Sequence, residues 1–200
     1  MFSHLPSLQC ITRIVGVKYD SPQMDFEKLM KQDEFQRCLF IFNDNFHDHF
    51  SAHRGGGNAR VRCFNNYSTF RPPKSFGIPT GRSSGYKRLV DGQSDIDTCL
   101  AELIELLNTN DYDSLVYSVD SYGQPLIGSG IFQVGAEVKQ YITTFILRVG
   151  LANTSEPCEL VYLSKENEGI RPQLSSTRSC WRQWTRASCP CEQARALARV

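Results

Sequence analysis

The chain has 200 residues, of which 40% are hydrophobic and 22% are charged, and its formal net charge at pH 7 is +1. This length suits one domain with some additional chain, and the balanced charge excludes a global attraction to nucleic acid or to an anionic membrane. No apolar run approaches the roughly 20 residues that a membrane-spanning helix needs. The first ten residues also lack the basic start and long apolar core of a secretory signal.

Cysteine usage indicates the compartment. The chain has eight cysteines, and the first four stand singly in apolar or mixed segments: Cys10, Cys38, Cys63 and Cys99. Isolated cysteines in such segments favour buried free thiols in a reducing compartment over a disulfide framework. We therefore expect a soluble, cytoplasmic protein with no membrane partner.

The first part of the chain predicts strands that alternate with short helices. Residues 10–19 carry Ile and Val and predict a strand, and residues 25–35 have apolar residues at mixed helical spacing. Residues 38–42 form a continuous apolar run, which is typical of a strand buried on both faces. Residues 59–64 alternate and fit either a short strand or the first turn of a helix. Residues 75–81 predict a short strand.

The second part contains the clearest helix, over residues 94–110, with Ser94 as the expected N-cap. One stripe of this helix is apolar at helical spacing: Ile96, Leu100, Leu103 and Leu107, widened by Cys99, Ile104 and Leu106. A buried strand over 112–119 and a second helix over 136–150 follow. The inner face of that second helix is predicted to consist of Val138, Tyr141, Ile142, Phe145 and Ile146.

Alternating strands and helices predict an α/β fold, namely a three-layer sandwich around a mixed or mostly parallel sheet. We expect this domain to cover residues 1–150. Residues 151–200 lack sustained periodicity and are rich in Ser, Arg, Pro and Cys, so they predict a mostly disordered tail. Within the tail, residues 159–163 are a candidate for one further strand.

Two glycine-rich stretches follow apolar strands and carry the functional prediction. The first is Gly55, Gly56 and Gly57, beyond a strand that ends in Asn-Asp-Asn, and the second contains Gly128 and Gly130. Ligands of open α/β sheets bind at the carboxyl ends of the strands, and backbone N–H groups of glycine-rich loops can converge on a phosphate. Together the two stretches predict a site for a phosphate-bearing ligand.

The order of these segments resembles a macrodomain, the ADP-ribose-binding α/β/α sandwich. The stretch "GSGIFQVG" (128–135) is similar to the second diphosphate loop of that family, and "FNDN…RGGGNA" is loosely similar to the first. A second resemblance covers residues 38–148. "LFIFNDN", "GGGNARVR" and "GIPTG" follow, in order, the pattern of an uncharacterised domain of phage and bacterial proteins, although Asn43 stands where that pattern has Gly.

If the two loops form one pocket, we expect the following roles for individual residues. Asn45 or Asn58 would bind ribose hydroxyls, Phe132 would stack on the ribose or base, and Asp44 is the candidate general base for hydrolysis. Asp44 as a loop-capping carboxylate and Phe132 as a core aromatic are the alternatives. The residues expected to bind phosphates are Gly56, Gly57, Gly128, Ser129 and Gly130, and Gly55 is a further expected ligand-binding residue. No cofactor is expected.

Three other interpretations of the sequence remain open. Eight basic residues lie between positions 54 and 88, interleaved with Tyr67, Phe70 and Tyr86. They are typical of a non-enzymatic nucleic-acid or protein interaction surface, or of a rim that guides an anionic ligand. Alternatively, the glycines only make turns in a scaffold without a ligand. Two groups have metal-ligand chemistry but incomplete ligand sets, so no metal site is predicted: His47, Asp48, His49 and His53, and Cys180, Cys189 and Cys191.

Overall fold

The computed structural model of the protein describes residues 11, 13–19, 24–128, 133–151 and 159–163, and five strands in these residues form one sheet. In chain order the strands are β1 (Arg13–Lys18), β2 (Cys38–Asn45), β3 (Ser75–Gly81), β4 (Ser114–Val119) and β5 (Glu159–Leu163). Their spatial order is β3-β2-β4-β1-β5, and all neighbouring strands are parallel. The mostly parallel sheet that the sequence predicts is confirmed.

Helices cover both faces of this sheet. The short helix α1 (Phe26–Leu29) and a 3₁₀ segment (Gly57–Phe64) pack on one face, and the longer helices α2 (Gln93–Thr109) and α3 (Ala136–Leu151) pack on the other. Strand β2 serves both layers because its side chains alternate between the two faces. Leu39 and Ile41 join the cluster of α2 and α3, whereas Phe40 and Phe42 join that of α1. The molecule is a three-layer α/β sandwich.

Most predicted elements are confirmed within a few residues. The apolar stripe of α2 and the inner face of α3 are buried as expected, and β5 coincides with the candidate strand 159–163. The ambiguous segment 59–64 belongs to the 3₁₀ segment, and β2 extends three residues beyond its predicted end, to Asn45. Cys38, Cys63 and Cys99 are free thiols. Cys10 and most of the predicted tail lie outside the described residues.

The start of α2 differs from the prediction. The helix begins at Gln93 after Gly92, without a side-chain cap, so Ser94 is not the N-cap. A 3₁₀ turn (Leu89–Asp91) leads almost directly into the helix, and Ser94 is therefore already inside its first turn. The acidic residue in the first turn of α2 is Asp95. Its carboxylate accepts hydrogen bonds from Arg82 Nε and Nη2, both at 2.8 Å, and from the Tyr86 hydroxyl at 2.5 Å.

This cluster predicts a pH dependence. Hydrogen bonds from the Arg82 guanidinium lower the pKa of Asp95, against the opposing effect of burial. A carboxyl group with a lowered folded pKa stabilises the fold above its unfolded pKa of about 3.9, and this contribution is lost as the pH falls through the folded value. We therefore expect Asp95→Asn to lower the urea midpoint near neutral pH, with a gap from the parent that narrows below about pH 4. Urea denaturation across this range measures the gap, and a gap that stays constant into strong acid contradicts the assignment.

The connections that leave β2 and β4 run in opposite directions. From β2 the chain passes along the α1 face to β3, at one end of the sheet, and from β4 it passes through α3 to β5, at the other end. Because β2 and β4 are neighbours, their loops separate above the carboxyl edge of the sheet. Such a switch point is where open α/β sheets bind ligands.

Candidate functional site

A small crevice lies at this switch point, between the carboxyl ends of β2 and β4. Three separate segments contribute to it: the end of β2, the start of the 3₁₀ segment, and the loop that follows β4. Its walls include Phe42, Asn43, Asn58, Ser118, Leu126 and Ile127. Residues that are far apart in the sequence therefore meet at one edge of the sheet.

Two asparagine side chains hold the crevice closed. Asn43 Nδ2 donates to the carbonyl oxygen of Leu126 at 2.7 Å, and Asn58 Nδ2 donates to Ser118 Oγ at 2.5 Å. The remaining space is about 10 Å³, which is room for about one water molecule. The loop after β4 is thus joined to the end of β2, and the 3₁₀ segment to the end of β4, through polar side chains.

The three glycines of the first loop serve different local purposes. A Cβ at Gly55 would lie 2.6 Å from Ala59 Cβ, so only glycine allows the chain to pass this close to the 3₁₀ segment. Gly57 has φ +53°, the left-handed conformation that glycine adopts without a steric penalty. Gly56 would tolerate a Cβ, because nothing lies within 4 Å of that position. The run turns the chain into the segment that carries Asn58.

The second loop reaches the same crevice. Leu126 and Ile127 border it directly, and Gly128, with φ +62°, follows Ile127 in the chain. The predicted ligand-binding residues Ser129, Gly130 and Phe132 lie outside the described residues. Asn58 of the first stretch and the residues just before Gly128 thus line one crevice.

Asp44, the candidate general base, is enclosed in the fold. Its side chain is 0% exposed and forms an ion pair with Arg62, whose side chain is 6% exposed. Arg62 Nε donates to both carboxylate oxygens, at 3.0 and 3.2 Å, and Nη2 donates to Oδ1. This geometry fits a structural ion pair between β2 and the 3₁₀ segment, and the catalytic role stays a prediction.

Asn45 has a local role in the structure. Its side-chain oxygen accepts from the backbone N–H of His47 at 3.1 Å and caps a 3₁₀ turn (Phe46–Asp48). Instead of Asn45, the residues at the crevice are Asn43 and Ser118, and neither was singled out from the sequence as a ligand contact. Two features of the sequence could have indicated Asn43: its position at a strand end, and the Gly that the phage and bacterial pattern has at this position.

Each basic residue between positions 54 and 88 has a polar partner within the fold. Five of them pair with carboxylates: Arg54 with Glu27, Arg60 with Asp25 and Glu27, Arg62 with Asp44, Arg82 with Asp95, and Arg88 with Asp91. The other three donate to backbone carbonyl groups: Arg71, Lys74 and Lys87. The side chains of Arg54, Arg60, Arg82 and Arg88 nevertheless remain more than half exposed, so the nucleic-acid alternative stays a prediction.

The three histidines that follow β2 lie in different environments. His49 is buried and contacts Glu102 Oε2 at 3.2 Å, and Tyr67 donates to the same oxygen at 2.7 Å. His47, Asp48 and His53 are exposed. Among the described residues, no three His, Cys, Asp or Glu side chains come together as a metal site would require. Cys180, Cys189 and Cys191 lie outside those residues.

None of the helices in the described ranges has the length and apolar character needed to cross a membrane. Comparison with known proteins found no matching family model, no matching curated protein and no matching solved structure. The macrodomain resemblance therefore stays a prediction.

Proposed function

We propose that this protein binds a phosphate-bearing nucleotide such as ADP-ribose at the crevice between β2 and β4. The observation that carries the proposal is the convergence of Asn43, Asn58 and Ser118 at the point where the loops after two parallel neighbouring strands separate. This position is the one at which open α/β sheets bind ligands.

The polar groups of the crevice suit a phosphate or a ribose. Both asparagine amides donate hydrogen bonds, and their present acceptors are a backbone carbonyl of Leu126 and the hydroxyl of Ser118. A phosphate oxygen is a stronger, charged acceptor. With space for about one water molecule, the crevice must open as a nucleotide enters, and the ligand would take over the bonds that Asn58 now makes.

The proposal covers binding and leaves out hydrolysis. A general base has to reach the proton of the attacking group, whereas Asp44 is completely enclosed and its carboxylate oxygens are occupied by Arg62. The role that these contacts support for Asp44 is to hold the segment that carries Asn58 against β2.

We expect Asn58→Asp to weaken the binding of ADP-ribose at least about tenfold, because a carboxylate then faces the ligand phosphate in a partly desolvated site. Aspartate has nearly the shape of asparagine, and it can still accept a hydrogen bond from the Ser118 hydroxyl, so the fold should be kept. Isothermal titration calorimetry with ADP-ribose, ADP and AMP measures the effect.

The matched control is Asn66→Asp, which adds the same charge at a half-buried loop residue outside the crevice. It should leave the affinity unchanged. If none of the three nucleotides binds the parent protein, the proposed function is wrong. An equal loss of nucleotide affinity in Asn58→Asp and Asn66→Asp would mean that net charge, and not this crevice, governs binding.

A further inference from the structure

The loop after β4 is a hairpin that turns back onto its own strand. The backbone N–H of Leu126 donates to the Ser118 carbonyl at 2.9 Å, and that of Asp120 donates to the Gln124 carbonyl at 2.9 Å. The Asp120 side chain accepts from the backbone N–H groups of Tyr122 and Gln124, at 2.8 and 2.9 Å. Such an Asx turn fixes the backbone at the tip of the hairpin.

Tyr122 stands at this tip with 85% of its surface exposed, more than any other large hydrophobic residue in the described ranges. Packing within the fold does not account for an aromatic ring in this position, where turns usually carry small polar residues. Because the backbone of Tyr122 is already held by Asp120, a ligand that contacts the ring has little chain entropy to overcome.

The base of the same hairpin is a wall of the crevice. Ser118 and Leu126 line it, and Tyr122 lies four residues beyond Ser118, which corresponds to at most about 13 Å of extended chain. A nucleotide that places its phosphate beside Ser118 and Asn58 extends its base out of the crevice over a distance of this order. The hairpin that carries Tyr122 thus begins and ends at the crevice.

We propose that Tyr122 stacks on the base of the bound nucleotide and so makes the site selective for nucleotides over simple sugar phosphates. This inference rests on the proposed function, because it assumes a phosphate in the crevice. Stacking of a base on an aromatic side chain tolerates different bases, since each of them offers a π-face. The ring therefore distinguishes ligands with a base from those without one.

The experiment compares ADP-ribose with ribose 5-phosphate, which has the sugar and a phosphate but no base. Tyr122→Ala should weaken ADP-ribose binding about 5- to 150-fold, as expected for the loss of one stacked base, with little change for ribose 5-phosphate. Tyr122→Phe should keep the affinity of the parent. Calorimetry or NMR titration measures both ligands, and far-UV circular dichroism checks that each variant is folded.

The control is Tyr19→Ala, which removes another exposed tyrosine, 59% exposed, just after β1 at the same edge of the sheet. An unchanged ADP-ribose affinity in Tyr122→Ala overturns the inference and leaves the proposed function standing. A loss of ADP-ribose affinity in Tyr19→Ala that is absent from Tyr122→Ala also overturns it. Loss of equal size for ADP-ribose and ribose 5-phosphate assigns Tyr122 to the loop structure instead. If ADP-ribose, ADP and AMP all fail to bind the parent protein, the proposed function itself is wrong.

Discussion

Replacing Arg62 with Met should lower the free energy of unfolding by about 3–5 kcal/mol, because it leaves the buried charge of Asp44 without its partner. The loss is large compared with the total stability of an ordinary domain, about 5–15 kcal/mol. After the substitution, the contact that remains to the carboxylate is the backbone N–H of Asn45, 2.8 Å from Oδ1. Urea denaturation of the two proteins measures the difference.

A second variant separates the buried charge from simple loss of packing. In the Arg62→Met protein, the additional change Asp44→Asn removes the charge at nearly constant shape, so the double variant should be more stable than Arg62→Met alone. Arg88 provides the matched control. Its ion pair with Asp91 is on the surface, with the Arg88 side chain 73% exposed, and Arg88→Met should change stability little. A double variant that is no more stable than the single one contradicts a charge-based origin.

Replacing Gly77 with Ala should also destabilise the fold, by about 1–3 kcal/mol, because the new methyl group meets the same ion pair from the other side. Gly77 lies in β3 opposite Phe42, diagonally next to Asp44 on the neighbouring strand. A Cβ at this position would come within 2.8 Å of Asp44 Cβ and 2.9 Å of Asp44 Cγ. Since Arg62 holds the carboxylate in place, the side chain cannot move aside cheaply.

Gly56→Ala is the matched control for this substitution. Gly56 has φ −85°, and a Cβ added there would have nothing within 4 Å, so alanine fits and should be neutral or stabilising by a few tenths of a kcal/mol. Thermal denaturation of both variants tests the pair. Equal destabilisation by Gly77→Ala and Gly56→Ala would mean that the close contact with Asp44 does not determine the need for glycine.

The parts of the fold that the sequence predicts best are those with strong local periodicity. The stripe of α2 repeats at helical spacing over about three turns, and the run in β2 is too apolar for any place but the core. These patterns depend only on neighbours in the chain. They were enough to predict the layers of the sandwich and the strands whose carboxyl ends form the site.

The details of the site depend on contacts between distant residues. Asp44 and Arg62 are 18 positions apart, and Asn58 and Ser118 are 60 apart. Residues 59–64 alternate in a way that fits either a strand or a helical turn, and the 3₁₀ segment that they join contacts β2 through the pair of Arg62 with Asp44. For the same reason, the sequence suggested a general base at Asp44 where the fold has a buried ion pair.

The central claim is that a nucleotide enters the crevice between β2 and β4, and side-chain amide signals in ¹H–¹⁵N NMR spectra test it most directly. During a titration with ADP-ribose, the Nδ2 signals of Asn43 and Asn58 should shift, because both amides exchange a bond within the protein for one to the ligand. The signals of Asn66 and Asn110, outside the crevice, should stay in place. If ADP-ribose binds and the Nδ2 signals of Asn43 and Asn58 stay in place, the claim is contradicted.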